Sequence, residues 1–292
     1  MLNQHLQNSL EKKQDFLSSN LRKIQYNLIR CHNIQHYTVD FNRNVIKLPK
    51  IVEVKAVLHR QFEGTMKTAT ISRSSTGKYF ISILVDDGKE LPAKQKVSES
   101  TAIGIDVGIK DFAILSTGEK VENPKYLKNS LKRMKCLQKR VSRKDKGSKN
   151  RDKARLLLSK IHEKISNQRN DFQHQLSSKL IRENQAIALE TLNVKGMVKN
   201  HCLAQSIEDA GWSSFVTKLE YKAEWAGKTI LRIGRFESSS KICNVCGYHN
   251  GNLTLKDREW ICPDCKTKHD RDINAAINIK KFSLQDQNLI VI

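Results

Sequence analysis

"TAIGIDVGIKDFAIL", residues 101–115, sets a single aspartate, Asp106, inside an otherwise apolar, glycine-punctuated run. The apolar residues on either side of Gly108 to Lys110 predict two strands joined by a short turn. An unpartnered carboxylate in such a strand is costly to bury, so Asp106 needs either a partner or a place in the turn at the strand end. Further along, "QAIALETL" (185–192) has the pattern of a second buried strand, carrying Glu190 at its end, where a solvent-facing last residue is the plain alternative. Residues 206–228 predict a helix, and "TILRIGRF" (229–236) a further strand. Strand, helix and strand in that order argue for an α/β unit with a mixed sheet covered by helices.

A third acidic candidate lies in "HDRDINAAINIKK" (269–281). On a helical wheel at about 100° per residue, Ala275, Ala276, Ile273, Ile277 and Ile279 gather within about 140° of Asp272, while Asn274, Asn278 and Lys281 gather opposite. Asp272 therefore faces the packing side, and Asp270 falls near the polar edge as a turn or capping residue. A first-turn acid favoured by the helix dipole is the plain reading of Asp272, and it is compatible with metal binding. Two acids on strands and one at the start of a helix on the same sheet can converge on a pair of Mg²⁺ ions. Hard oxygen donors suit that ion, and the chemistry it supports on a phosphodiester is hydrolysis.

The composition points to the same kind of substrate. Lys and Arg number 52 against 30 Asp and Glu, a formal net charge of +22 over 292 residues, which calls for a polyanionic partner. Residues 125–184 hold 19 of the basic residues and 5 of the acidic ones, a net of 19 − 5 = +14. Leu127, Leu131, Met134 and Val141, then Ala154, Leu157, Ile161, Ile165, Phe172, Leu176 and Leu180, recur at helical spacing on either side of "DKGSKN". Two long antiparallel helices with basic outer faces follow. Lys132, Arg133, Lys135, Lys139, Arg140, Arg143, Lys144, Arg151 and Arg155 are the candidate phosphate contacts, of a salt-dependent and sequence-tolerant kind. No apolar run of bilayer-spanning length and no signal-peptide pattern is present, so a cytoplasmic protein without membrane association is expected.

Seven cysteines are present, and four of them form Cys243-x2-Cys246 and Cys262-x2-Cys265, separated by 15 residues. This is the spacing of a four-thiolate zinc ribbon, a structural site with no open coordination position. His249 and His269 are then surplus surface residues. Cys31, Cys136 and Cys202 are isolated in helical-looking sequence and read as small hydrophobes. Residues 5–30 read as a polar helix, and 44–60 and 65–85 as antiparallel strands, an α plus β beginning that a polar linker at 90–100 joins to the rest.

"GIDVGIKDFAIL", "ALETLNVKGM", "SIEDAGWSSFVTKLEYKAEW", "SSKICNVCG" and "HDRDINAAINI" together resemble the TnpB (OrfB) proteins of insertion sequences, which are similar to type V CRISPR effectors and are often named transposases. The resemblance covers residues 45 to 281. It implies a RuvC-like (RNase H-type) nuclease in which Asp106, Glu190 and Asp272 hold catalytic magnesium and one zinc ribbon carries Cys243, Cys246, Cys262 and Cys265. The implied activity is cleavage of DNA directed by a guide RNA from the transposon end. The implied layout is a partial helical and barrel-like region at 1–100, the nuclease at 101–240 with its basic hairpin at 125–184, the ribbon at 241–268, a last helix at 269–282 and a tail at 283–292. Family members begin with a further segment ahead of "IKLPK", so the chain is expected to be shortened at its N-terminus. Two rival readings share these residues: a shortened or regulatory relative that binds nucleic acid without cutting, and a strand-transfer transposase that acts without a guide.

Overall fold

The computed structural model describes residues 28–31, 37–48, 51–234, 237–254 and 256–286. These fall into two compact units, 1–90 and 91–292. Most of the helix expected over 5–30 lies outside the described residues. Its last part is not helical, because Leu28–Cys31 forms strand β1, and Cys31 is therefore a strand residue.

The first unit holds two antiparallel three-stranded sheets. In one, β1 pairs with β5 (Thr65–Arg73), which pairs with β6 (Tyr79–Asp86); in the other, β2 (Thr38–Asp40), β3 (Val45–Leu48) and β4 (Ile51–Lys55) follow in order. Period-two patterning is the cause. Along β6, half-buried and exposed residues alternate without a break, and the inner residues of both sheets meet in one core of Tyr37, Ile46, Leu48, Ala69 and Ile71. The expected β5–β6 hairpin closes through Ser74, whose amide donates to the Lys78 carbonyl at 2.8 Å.

The second unit is built on a five-stranded sheet in the order β11-β10-β7-β8-β9. Strands β7 (Ala102–Val107), β8 (Asp111–Leu115) and β9 (Lys120–Glu122) form an antiparallel meander, and β10 (Ala186–Glu190) and β11 (Thr229–Ile233) add in parallel beside β7. Between β9 and β10 run α1 (Tyr126–Ser142) and α2 (Lys149–Glu183), the expected hairpin, with Leu137, Ile161 and Ile165 buried between them. A short helix α3 (Val194–Met197) leads to α4 (His201–Ala210) and α5 (Trp212–Trp225). The single helix expected over 206–228 is broken because Gly211 takes a left-handed conformation, φ +65°, which a side chain would strain. Strands β12 (Glu259–Ile261) and β13 (Lys268–Asp270) pair antiparallel, and α6 (Arg271–Asp286) closes the unit. The last helix thus starts two residues later than expected, since His269 and Asp270 are strand. It also runs on through the first residues of the expected tail, because Leu284 is fully buried in the core under the sheet.

Alternation along the strands sorts the two faces of this sheet. Ile103, Ile105, Ile187 and Leu189 point into the larger core with Leu176, Leu180, Ile207, Phe215 and Leu219 of the helices. Ala102, Ala186 and Ala188 point to the other face, where Ile279 and Leu284 of α6 cover them. Small residues there admit the helix closely: a Cβ on Gly104 would collide with the Ala276 carbonyl oxygen. Among the described residues, no helix is long and apolar enough to cross a membrane.

Candidate active site and metal centre

Parity decides where the acids go. Asp106 follows Ala102 and Gly104 at a spacing of two, and Glu190 follows Ala186 and Ala188, so both fall on the α6 face. The β7–β10 register, Leu189 opposite Ile105, brings them to the same level at the ends of neighbouring strands. From the Gly104–Ala276 contact, Asp106 lies two residues on along β7 and Asp272 one helical turn back along α6, each about 6 Å away along its element. Asp106 feels the other two carboxylates. Burial, then the charges of Glu190 and Asp272, push Asp106 up to about 7, against the smaller opposing pulls of the Val107 amide and Arg271. Burial also raises Glu190.

Asp270 has a different role, as its helical phase predicts. Its Oδ1 accepts from the Asp272 and Ile273 amides at 3.0 and 3.1 Å, capping α6, and its Oδ2 takes the Lys120 ammonium at 2.6 Å. Burial pulls this carboxyl upward, but Lys120 and the capped amides outweigh it and hold it below the usual range. Asp272 is the first-turn acid beyond that cap, and Arg258 of the ribbon donates to both its oxygens at 3.2 and 3.4 Å.

Asp106 and Asp272 line a cleft of about 880 Å³ whose cationic residues are Lys110, Lys125, Lys128, Arg258 and Arg271. Glu190 lines a smaller neighbouring cavity, where Arg232 is committed to Glu220. Val107 and Trp212 line both. Of these cations only Lys125 and Lys128 fall in the basic stretch, and neither was among the singled-out contacts. Arg258 and Arg271 carry no sequence signal beyond their nearness to the ribbon.

The hairpin is anchored at the rim of this cleft. Helix α1 has no local cap, since Lys125 sits in a left-handed conformation at its start. Buried Asp209 of α4 supplies one, accepting from the Leu127 and Lys128 amides at 3.0 and 3.1 Å and from Arg169 at 3.3 Å. A partner more than 80 residues away in sequence leaves no local trace.

The candidate basic residues divide. Lys132, Lys135, Lys139, Arg140 and Arg143 line one groove along α1, around an exposed Cys136. Arg133 and Lys144 are exposed outside it. Arg155 lies 3.7 Å from Asp152, and Arg151 is taken up by the hairpin itself, donating to the Val141 and Lys144 carbonyls at 3.2 and 2.7 Å. Cys136 and Cys202 are exposed rather than packed as small hydrophobes.

The four ribbon cysteines converge. Their sulfurs all lie within 4.8 Å of one another, with Cys243 to Cys265 at 3.6 Å and Cys246 to Cys262 at 3.5 Å. A tetrahedral ion with bonds of about 2.3 Å requires sulfur separations of about 3.8 Å, so the four thiols fit one metal ion. Among the described residues no carboxylate group is drawn together as tightly. Asp272 is paired with Arg258 instead.

One expectation about the surroundings of the ribbon needs correction. His249 is exposed as expected, but His269 is buried, with Nε2 3.1 Å from the Cys243 sulfur and its ring 4.7 Å from that of Trp260. The β12–β13 register sets it opposite Trp260 on the inner side. The side of α6 opposite Asp272 is polar yet not solvent-facing. Asn274 exchanges hydrogen bonds with the Ile242 carbonyl (2.8 Å) and the Asn244 amide (3.0 Å), and Asn278 donates to the Ser239 and Ile242 carbonyls at 2.7 and 2.6 Å. These asparagines dock the first knuckle on the helix that carries Asp272.

The chain is similar to known proteins. The OrfB_IS605 family, described as "Probable transposase", matches residues 81–201, and the Cas12f1-like TNB domain matches 212–279. A protein of Streptomyces pristinaespiralis named "Putative RNA-guided DNA endonuclease" is 45% identical over 212 residues, 73% of this chain and 52% of its own length. "Putative RNA-guided DNA endonuclease InsQ" of Escherichia coli (strain K12) is 28% identical over 260 residues, 84% of this chain and 63% of its own. The chain thus spans between half and two thirds of the length of these relatives. A solved Cas12f1-sgRNA-target DNA complex shares the fold, with a TM-score of 0.54 at 17% identity over 87% of this chain and 59% of that one. An OrfB_IS605 match over 81–201 followed by a Cas12f1-like TNB match over 212–279, with a relative at 45% identity, marks this chain as TnpB-like (OrfB).

Proposed function

We propose that this chain provides the RuvC-like nuclease of an RNA-guided, Mg²⁺-dependent DNA endonuclease, with Asp106, Glu190 and Asp272 as its catalytic acids and a structural zinc on Cys243, Cys246, Cys262 and Cys265. The observation that carries the reading is the approach of three acids from distant segments beside a cleft rimmed by cations, where burial first, and then the charges of Glu190 and Asp272, push Asp106 up to about 7. Excess negative charge built from hard oxygen donors fits a divalent cation such as Mg²⁺. These acids would hold the ion, whose chemistry when bound would be activation of a water and neutralisation of charge on the scissile phosphate.

The chain's own groups do the rest. Asp106 and Glu190, fixed at the ends of paired strands, present oxygens at one level. Asp272 is held by the cap that Asp270 and Lys120 place on α6. Lys110, Lys125, Lys128 and Arg271 attract and orient the phosphates of a strand lying in the cleft. Arg258, which pairs with Asp272, is long enough to reach a phosphate in the cleft instead. Asp209 keeps the start of the basic hairpin at the rim, so the groove along α1 can hold the guide or its duplex while a strand reaches the acids.

The test is cleavage of target DNA by the chain purified with its copurifying RNA. Asp106→Ala or Glu190→Ala should lower the rate at least about a thousandfold without lowering the melting temperature, and cutting that survives either change would sink the assignment. The ion pair between Asp272 and Arg258 favours one alternative, a protein that binds nucleic acid without cutting. That alternative predicts copurifying RNA and tight DNA binding, with no product at any magnesium concentration.

A further inference from the structure

The ribbon's least exposed polar ring lies against one of its thiols. His269 is 5% exposed, its Nε2 is 3.1 Å from the Cys243 sulfur, and Cys243 is itself 1% exposed. Four thiolates on one divalent ion leave a net charge of −2, and Cys243 and Cys262 carry their share of it in the apolar interior with Leu253 and Trp260. A thiolate in that setting gains from an N–H donor, as metal ligands generally do from a hydrogen-bonded outer layer. Filling space alone asks only for a flat ring against Trp260, which a phenyl group would provide.

We propose that His269 is part of the metal centre as the Nε2–H donor to the Cys243 thiolate, holding part of the centre's negative charge without ligating the ion. The inference rests on the four-thiolate reading of the ribbon. It also gives the metal a route to the acids. His269 ends its hydrogen bond one residue before Asp270, which caps α6, and three before Asp272, while Asn274 and Asn278 hold the Cys243 knuckle on that helix from the other side.

The test uses the full chain and the metal itself, with no need for cleavage. Wild-type protein loaded with Co²⁺ should hold one ion per chain and show a charge-transfer spectrum of four thiolates. His269→Phe should keep that ligand set but surrender the ion to a chelator about tenfold faster or more, with the charge-transfer band moved to lower energy. His269→Gln, whose amide can still donate, should recover part of the difference. Release and spectrum of His269→Phe identical to wild type would overturn the proposal in favour of packing alone. A wild-type spectrum of three thiolates and one nitrogen would overturn it in favour of ligation. Should the phenylalanine variant not fold, wild-type chain with labelled histidine and ¹¹³Cd decides: a proton on Nε2 coupled to the cadmium supports the donor, and an unprotonated Nε2 overturns it. Wild-type chain that binds no metal would instead refute the four-thiolate reading, a distinguishable failure.

Discussion

Asp106 stands at the end of an inner strand with Glu190 level with it and Asp272 approaching from α6, so its protonation reports on the state of the whole cluster. Its folded pKa, about 7, lies above the ordinary carboxylate value of 3.8. Between those values the folded chain binds the extra proton, so this group's contribution to stability is complete below about pH 4 and is lost as pH rises through about 7, at up to about 1.4 kcal/mol per pH unit. Asp270 has the opposite sign, because its folded pKa is depressed: its contribution is present above the unfolded value and is lost only as pH falls below it. In magnesium-free buffer the melting temperature of wild type should therefore decline between pH 4 and pH 7 relative to that of Asp106→Asn. Glu190→Gln should shift the window to lower pH by removing one like charge, although burial, the larger cause, stays. Added Mg²⁺ should restore stability mainly at the alkaline end, where the cluster is ionised. A wild-type profile that rises relative to Asp106→Asn through this window would contradict the assigned burial and like-charge origin of the shift.

The contact between β7 and α6 converts local sequence into the geometry of the site. Gly104 has no side chain where the Ala276 carbonyl and Lys280 pass, and neither the carbonyl nor the strand can step aside without moving the helix. Gly104→Ala should cost about 1 to 3 kcal/mol of stability, as overpacking does, and should lower the cleavage rate further than that loss explains, because Asp272 moves with α6. Comparing cleavage at a temperature where both proteins remain folded separates the two effects, and a rate equal to wild type there would show that the acids tolerate a displaced helix. The sheet, the hairpin and the ribbon were legible because period two, helical spacing and paired cysteines are local signals. The phase of α6 likewise separated Asp272 from Asp270. What escaped depends on distant partners: Asp209 caps a helix from another part of the chain, and Asn274 and Asn278 form a polar face whose hydrogen bonds go to the ribbon. His269 needed the β12–β13 register to be turned inward. Gly211 was visible in the sequence, but a glycine within a helical pattern is often tolerated, and only its left-handed conformation splits α4 from α5.

Across the whole molecule the decisive quantity is charge, +22, of which the span 125–184 contributes 19 − 5 = +14. Composition announces a polyanionic partner but does not say which cations are free to meet it. The fold sorts them: Lys132, Lys135, Lys139, Arg140 and Arg143 line one groove, whereas Arg151 is occupied by the Val141 carbonyl in the last turn of α1 and the Lys144 carbonyl just beyond it. Groove positions recur at three and four residues, one helical turn of about 5.4 Å, so successive side chains can follow successive phosphates of a strand. Each such contact to a duplex releases counterions worth about 0.9 in the slope of log affinity against log salt. Replacing Lys135, Lys139 and Arg143 together by Ala should therefore lower the slope for a duplex of arbitrary sequence by about 2 to 3, and weaken binding equally whatever the sequence. Arg151→Ala should leave the slope within about 0.5 of wild type and instead lower the melting temperature, because it uncaps helix carbonyls rather than losing a phosphate. A triple variant with an unchanged slope would mean that the groove charges only solvate a long helix and that the phosphates run elsewhere, along Lys110, Lys125 and Lys128 at the cleft.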